Sequence, residues 1–247
     1  MYRGVYINNH DIREYGTKLQ TDYAISGYDV TNATNQGPNR SSVLLLRQSF
    51  TPLHITLPLD FYGVDKRQTT ERLAAFSALL TGKFEVDLGD GYQYTCILDE
   101  IGPTAWVNDE ICSVDVSMSG FRHTDPLTVT GTNQVTVYNP GTWPETGCKI
   151  TISNIVPNIV IGRPIIVKIQ RIVGDALLYT LETTAGTTGT MVLDGIGMQN
   201  KLPGKPTATD IMQWLDYPSL APDENTITVS GPAKDVTVTV EFTPMYL

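Results

Sequence analysis

Glu110-Ile111-Cys112-Ser113-Val114-Asp115-Val116-Ser117-Met118-Ser119 is the stretch that decides the fold class of this 247-residue chain. Cys112, Val114, Val116 and Met118 alternate with Ser113, Asp115, Ser117 and Ser119. A period of two belongs to a β-strand, whose successive side chains point to opposite faces of a sheet. One face of this strand therefore belongs to a core. The other is small and polar, and meets solvent or a partner; a strand of this kind is able to join a neighbouring sheet where its edge is free.

Upstream, residues 83–88 and 92–98 flank Gly89-Asp90-Gly91 and predict a hairpin, because Asp-Gly supplies the positive φ angles of a tight turn. Residues 43–46 and 53–59 read as further strands. One segment breaks the β pattern. Residues 65–81 contain no Pro or Gly and carry Leu73, Phe76 and Leu80 at helical spacing. The spacing predicts a helix over 66–81, opened by a capping box of Asp65 and Gln68 and closed by a left-handed Gly82, with its apolar face on a sheet. Residues 20–42 are polar and read as a long extended loop.

Downstream, Arg122-His123-Thr124-Asp125-Pro126 is a polar stretch ending in a turn-initiating pair, which places a domain boundary near Pro126. Beyond it, residues 134–138, 148–152, 165–170, 177–181, 191–193, 226–230 and 236–242 are short β-rich runs separated by turn signals, the pattern of an antiparallel sandwich. Residues 211–217 fit a strand or a short helix, and residues 183–190 a small-residue loop. The fold class is mainly β. Residues 1–126 form an N-terminal β domain with one helix, and residues 127–247 a C-terminal β-sandwich.

Composition narrows the function. The chain is 41% hydrophobic and 17% charged, with 17 basic and 26 acidic side chains and a net charge of −9. Such an acidic chain without a basic cluster is repelled by phosphate, which argues against gripping nucleic acid or an anionic membrane. Residues 159–169 are nearly apolar but hold Gly162, Arg163, Pro164 and Lys168, and fall well short of a membrane span, so no membrane insertion is expected. The first residues lack a secretory leader, and the expectation is synthesis in the cytoplasm. Cys96, Cys112 and Cys148 are too scattered for a disulfide framework or zinc site and read as reduced and buried.

The motifs of chemistry are missing. His10, His54 and His123 are dispersed, with no His-Glu-x-x-His and no Gly-x-Ser-x-Gly elbow in the chain. Asp87-Leu88-Gly89-Asp90-Gly91 lacks EF-hand spacing and is better read as the hairpin turn. Asp194-Gly195-Ile196-Gly197 has no third glycine and no phosphate loop exists, while Asp99-Glu100 and Asp109-Glu110 are adjacent pairs suited to solvated turns. No catalytic residue, metal or cofactor is expected. Trp143, Trp214 and Tyr217 are candidates for carbohydrate contact, since flat aromatic faces stack on sugar C–H surface; the competing reading is that large aromatics lie partly in a core.

The order of these signals carries a resemblance. Gly4-Val5-Tyr6-Ile7-Asn8-Asn9-His10 opens the chain, followed by Leu53-His54-Ile55-Thr56-Leu57-Pro58-Leu59, the capped helix, and Phe84-Glu85-Val86-Asp87-Leu88 leading into the Asp-Gly turn and Tyr92-Gln93-Tyr94. The alternating strand, Phe121 with Asp125-Pro126, Val137-Tyr138-Asn139-Pro140-Gly141-Thr142 and residues 220–229 complete the series, Asp223-Glu224 departing from a Gly-rich form. Together they resemble the distal tail protein family of long-tailed, non-contractile bacteriophages over almost the whole chain.

The resemblance implies a structural virion protein at the distal end of the tail. Its N-terminal β-sandwich, tail-tube-like and with one helix, would form a hexameric ring, and a galectin-like, jelly-roll β-sandwich would project outward. Such a ring joins the tail-tube protein and the tail-tip protein to receptor-binding proteins and leaves a channel through which DNA passes. On this reading Ser113, Asp115, Ser117 and Ser119 are the candidate ring interface. Two alternatives stand beside it: a carbohydrate-binding module for host cell-wall saccharide, using Trp143, Trp214 and Tyr217, and a tail-tube protein.

Overall fold

The computed structural model describes residues 4–35, 44–155, 165–171, 176–181, 189–201, 217–231 and 235–247. The chain is mainly β, with one α-helix among the described residues. It divides into two compact units, Met1–His123 with Leu247, and Thr124–Tyr246.

In the first unit the alternating strand spans Ile111–His123 and lies inside an antiparallel sheet, between Gln93–Ile101 and Leu53–Tyr62. Outward from Gln93–Ile101 follow Lys83–Asp87, Tyr6–Ile7 and His10–Asp11; outward from Leu53–Tyr62 lies Thr17–Leu19. Ile55, Leu57, Leu59 and Phe61 face the same core as Cys112, Val114, Val116 and Met118, and all eight are buried. The pairing register places Leu57 opposite Val116 and Leu59 opposite Val114, so the two alternations reinforce one another.

The helix runs Lys66–Leu79, two residues shorter than its sequence pattern. Asp65 caps it, its carboxylate accepting from Gln68 N at 2.7 Å. Gln68 Oε1 reaches back to Val64 N at 2.8 Å, one residue before the cap. At the other end Leu80 N–H turns to Ser77 O at 3.1 Å, and Gly82 takes the left-handed φ of 72°. Phe76 is fully buried and meets Phe61 edge to face, with ring centroids 5.4 Å apart. Burying a Phe side chain contributes about 1.5–3 kcal/mol, which anchors the helix on the sheet. Thr69, also buried, donates to Asp65 O or Glu110 O, at 3.0 and 3.1 Å.

The polar stretch expected as a loop holds paired strands up to Asn35, and residues 36–42 lie outside the described residues. Ala24–Ile25 pairs with Leu53–Tyr62, and Val30–Asn35 pairs with Leu44–Phe50 as a two-stranded ribbon. Its β-branched Val30, Thr31 and Thr34 favour extended backbone, and ladder bonds need no apolar face. Among the described residues the ribbon pairs with no other strand.

The second unit is a two-sheet antiparallel sandwich. One sheet has the order Leu127–Thr132, Thr237–Phe242, Thr146–Ile155, Gly189–Asp194, Gln199–Lys201; the other has Gln134–Asn139, Asp223–Ser230, Ile165–Arg171, Leu177–Leu181. Cys148, Ile150, Ile152, Val238 and Val240 from the first meet Val135, Val137, Val167, Ile169 and Ile227 from the second in one buried cluster. Tyr217 is the only residue of the ambiguous 211–217 stretch within the described residues, and residues 183–188 lie outside them.

Candidate functional site

Ser113, Asp115, Ser117 and Ser119 lie on the outward face of the first unit's sheet, Asp115 exposed and the three serines half-buried. Their strand has no free edge. Leu53–Tyr62 pairs with it from Ile111 to Gly120, Gln93–Ile101 from Val116 to His123, and Ala105–Trp106 at Cys112 and Ser113. This corrects the expectation of edge-to-edge joining. With both rows of backbone groups bonded inside the chain, only the side-chain face remains for another molecule.

Ser113 and Ser119 are already engaged. Ser113 Oγ donates to Asp60 Oδ1 at 2.7 Å, and Gln20 Nε2 reaches both Asp60 Oδ1 and Ser113 Oγ at 2.7 Å. Ser119 Oγ donates to Asp99 Oδ2 at 2.6 Å, and His54 Nδ1 lies 3.2 Å from the same oxygen. Asp99 is the extra residue of a β-bulge: Ser117 pairs with Glu100 and Met118 with Leu98, leaving Asp99 unpaired between them. A bulge re-aims the side chain it carries, here towards Ser119 and His54.

A second polar cluster lies on the same sheet. Thr95 Oγ1 donates to Glu85 Oε1 at 2.7 Å, and His123 Nε2 sits 3.0 Å from Glu85 Oε2 and 2.9 Å from Thr95 Oγ1. The hydrogen bond from His123 holds the Glu85 carboxyl below its ordinary range, with Thr95 adding to it against desolvation. Hydroxyl and carboxylate meet the same ring nitrogen, and at His54 the carboxylate lies between Ser119 and the imidazole. Neither cluster has the hydroxyl–imidazole–carboxylate series that activates a nucleophile. His10 pairs with Glu14, at 3.4 Å.

Sequence reasoning missed Gln20, Asp60, His54, Asp99, Glu85 and Thr95 as members of these clusters. Their partners are 10 to 93 residues away and meet through strand register, which no local motif announces.

The Asp87-to-Gly91 turn uses its carboxylates internally. Asp87 Oδ1 accepts from Gly89 N at 2.7 Å, and Asp90 accepts from Tyr92 N at 3.1 Å and from the Tyr94 hydroxyl at 2.6 Å. Burial, then the Asp90 carboxylate, push the Tyr94 hydroxyl well above its ordinary range. All three cysteines are buried and unpaired, and burial raises the Cys96 and Cys148 thiols to about 12. No group of three or more His, Cys, Asp or Glu side chains suited to a metal occurs among the described residues. No helix among them is long and apolar enough to cross a membrane.

The aromatic candidates separate. Trp143 is half-buried, its backbone N–H bonded to Met245 O at 3.0 Å, and Trp214 lies outside the described residues. Tyr217 is 40% exposed and lines a hollow of about 320 Å³ in the second unit, which Trp143 does not line.

No protein-family model and no curated protein matches the sequence. Among solved structures, the Dit protein (gp 19.1) of phage SPP1 aligns over 99% of this chain and 99% of its own, at 12% identity and a TM-score of 0.68. The fold is similar to that of SPP1 Dit. That protein is described as a paradigm of the hub adsorption apparatus in phages that infect Gram-positive bacteria. Chains of the phage P2 baseplate in its activated conformation, with Ca and with Sr, align over 99% and 94% of this chain and 98% and 92% of their own. Both are 10% identical, with TM-scores of 0.46 and 0.43.

Proposed function

We propose that the chain is a structural protein of a phage tail tip, a distal tail protein whose N-terminal part, residues 1–126, builds a hexameric ring and whose C-terminal part, residues 127–247, projects from it. The observation that carries this reading is the end-to-end match of both units to SPP1 Dit. The ring joins the tail-tube protein to the tail-tip and receptor-binding proteins of the virion, and it acts by assembly, without catalysis.

Two features of the chain fit this role. The face around Ser117 is polar, with Thr56 on one side and Glu100 on the other, and offers a hydrogen-bonding surface to a second copy. Six copies of a chain with a net charge of −9 also give a strongly acidic ring, in which DNA slides without sticking.

Light scattering of the purified chain, with negative-stain imaging of the same peak, tests the reading. A six-membered ring with a central hole is the expected result, and a monomer at every accessible concentration counts against self-assembly. Ser117→Lys places an unpaired charge in the proposed interface and is expected to weaken association by roughly 3 kcal/mol while each chain stays folded. An unaltered oligomer in that variant would remove the Ser113–Ser119 face from the interface.

A further inference from the structure

The hollow beside Tyr217 is lined in part by Gly147 and Gly195. Its floor is backbone: Gly195 N donates to Cys148 O at 2.8 Å, and Cys148 N donates to Pro218 O at 3.1 Å. A Cβ on Gly195 would stand 2.0 Å from Pro218 O, and one on Gly147 would stand 2.9 Å from Gly195 O. Only glycine fits at both positions, so three chain segments close a floor that carries no side chains.

Around this floor stand Tyr217, Leu177, Ser219 and Glu145. Arg171, whose side chain is 9% exposed, holds the Glu145 carboxylate with Nη1 at 3.3 Å from Oε1, while Glu145 itself is 68% exposed. The carboxylate is therefore fixed at the rim with accepting capacity left for a ligand hydroxyl. Buried Asn225 and Asn139 bond the backbone of Ala221, two residues beyond Ser219, and hold that stretch of chain in place.

We propose that this hollow is a binding site for one neutral pyranose ring. Tyr217 offers an aromatic ring for sugar C–H surface, and Glu145 and Ser219 offer partners for hydroxyls. The volume of about 320 Å³ is at the lower end of small-ligand clefts and suits a single ring. Glu145, on a chain with net charge −9, disfavours phosphorylated or carboxylated ligands. The site is independent of the ring-forming reading, since every residue in it belongs to the second unit.

The test is saturation-transfer NMR and calorimetry on the full chain with methyl glucoside, methyl galactoside and N-acetylglucosamine as separate probes at millimolar concentration. Binding of at least one is expected. Tyr217→Ala should weaken it tenfold or more, Tyr217→Phe should retain most of it, and Glu145→Gln should weaken it severalfold. Absence of transfer from all three probes to a folded chain overturns the proposal, as does binding that Tyr217→Ala leaves unchanged. Oligomeric mass is read on the same Tyr217→Ala sample. It is expected to match the parent, so failure of the sugar site and failure of ring assembly register separately.

Discussion

Gly120 stands directly opposite Cys96 in the sheet, so close that a Cβ built on the glycine would lie 2.5 Å from the cysteine Sγ and 2.8 Å from Thr95 O. Backbone as well as side chain blocks the space, and rotation of Cys96 alone does not clear it. Gly120→Ala is expected to destabilise the first unit by about 1–3 kcal/mol. Urea unfolding reads the change directly, and an unaltered midpoint would show that the strand yields. Cys96→Ala in the same chain should restore only part of the loss, because the Thr95 carbonyl remains.

Asn225 is fully buried in the second unit, where its Oδ1 accepts from Ala221 N at 2.9 Å and its Nδ2 donates to Ala221 O at 2.9 Å and Asp223 O at 3.0 Å. Asn225→Ala removes the acceptor of a buried N–H, and a group left unsatisfied costs about 1–3 kcal/mol. The second unit's thermal midpoint should fall accordingly, with the first unit unaffected. A variant of wild-type stability would mean that a water takes over these bonds.

Acid should act through Glu85. Its hydrogen bond from His123 lowers the folded-state pKa beneath the ordinary value of 4.5, so the folded chain holds this proton more weakly than the unfolded one. The stabilisation is then fully present above the ordinary value and is lost as pH falls through the lowered one. Glu85 is 49% exposed, which makes the contribution small. The difference in urea midpoint between the parent and Glu85→Gln should be largest near about pH 6 and shrink towards about pH 3. A difference constant over that span would detach Glu85 from the acid response.

The legible parts of the fold were those with a local period. Ile111–His123 shows its two-residue alternation, the helix shows Leu73, Phe76 and Leu80 with its Asp65 cap, and Gly89-Asp90-Gly91 names its own hairpin. Tyr6–Ile7, His10–Asp11, Thr17–Leu19 and Ala24–Ile25 are two or three residues long and too short to display any period. Leu127–Thr132 is largely exposed, so its sequence carries no core signal. At the candidate site, the outward position of Ser113, Asp115, Ser117 and Ser119 followed from alternation alone. Their bonds to Asp60 and Asp99 did not, because a register and a bulge set them. Tyr217 could be singled out as an aromatic, whereas the glycine floor beside it comes from the meeting of distant segments.

The ribbon of Val30–Asn35 and Leu44–Phe50 sets a clock on the free chain. A two-stranded hairpin by itself is marginal in water, so its amides should trade hydrogen with solvent long before those of Ile111–His123, which are locked from both sides. A protease given the same choice would cut there first. Any neighbour that lies along the ribbon converts this fast-exchanging, easily cleaved stretch into a protected one, and the moment of that protection dates the arrival of the neighbour.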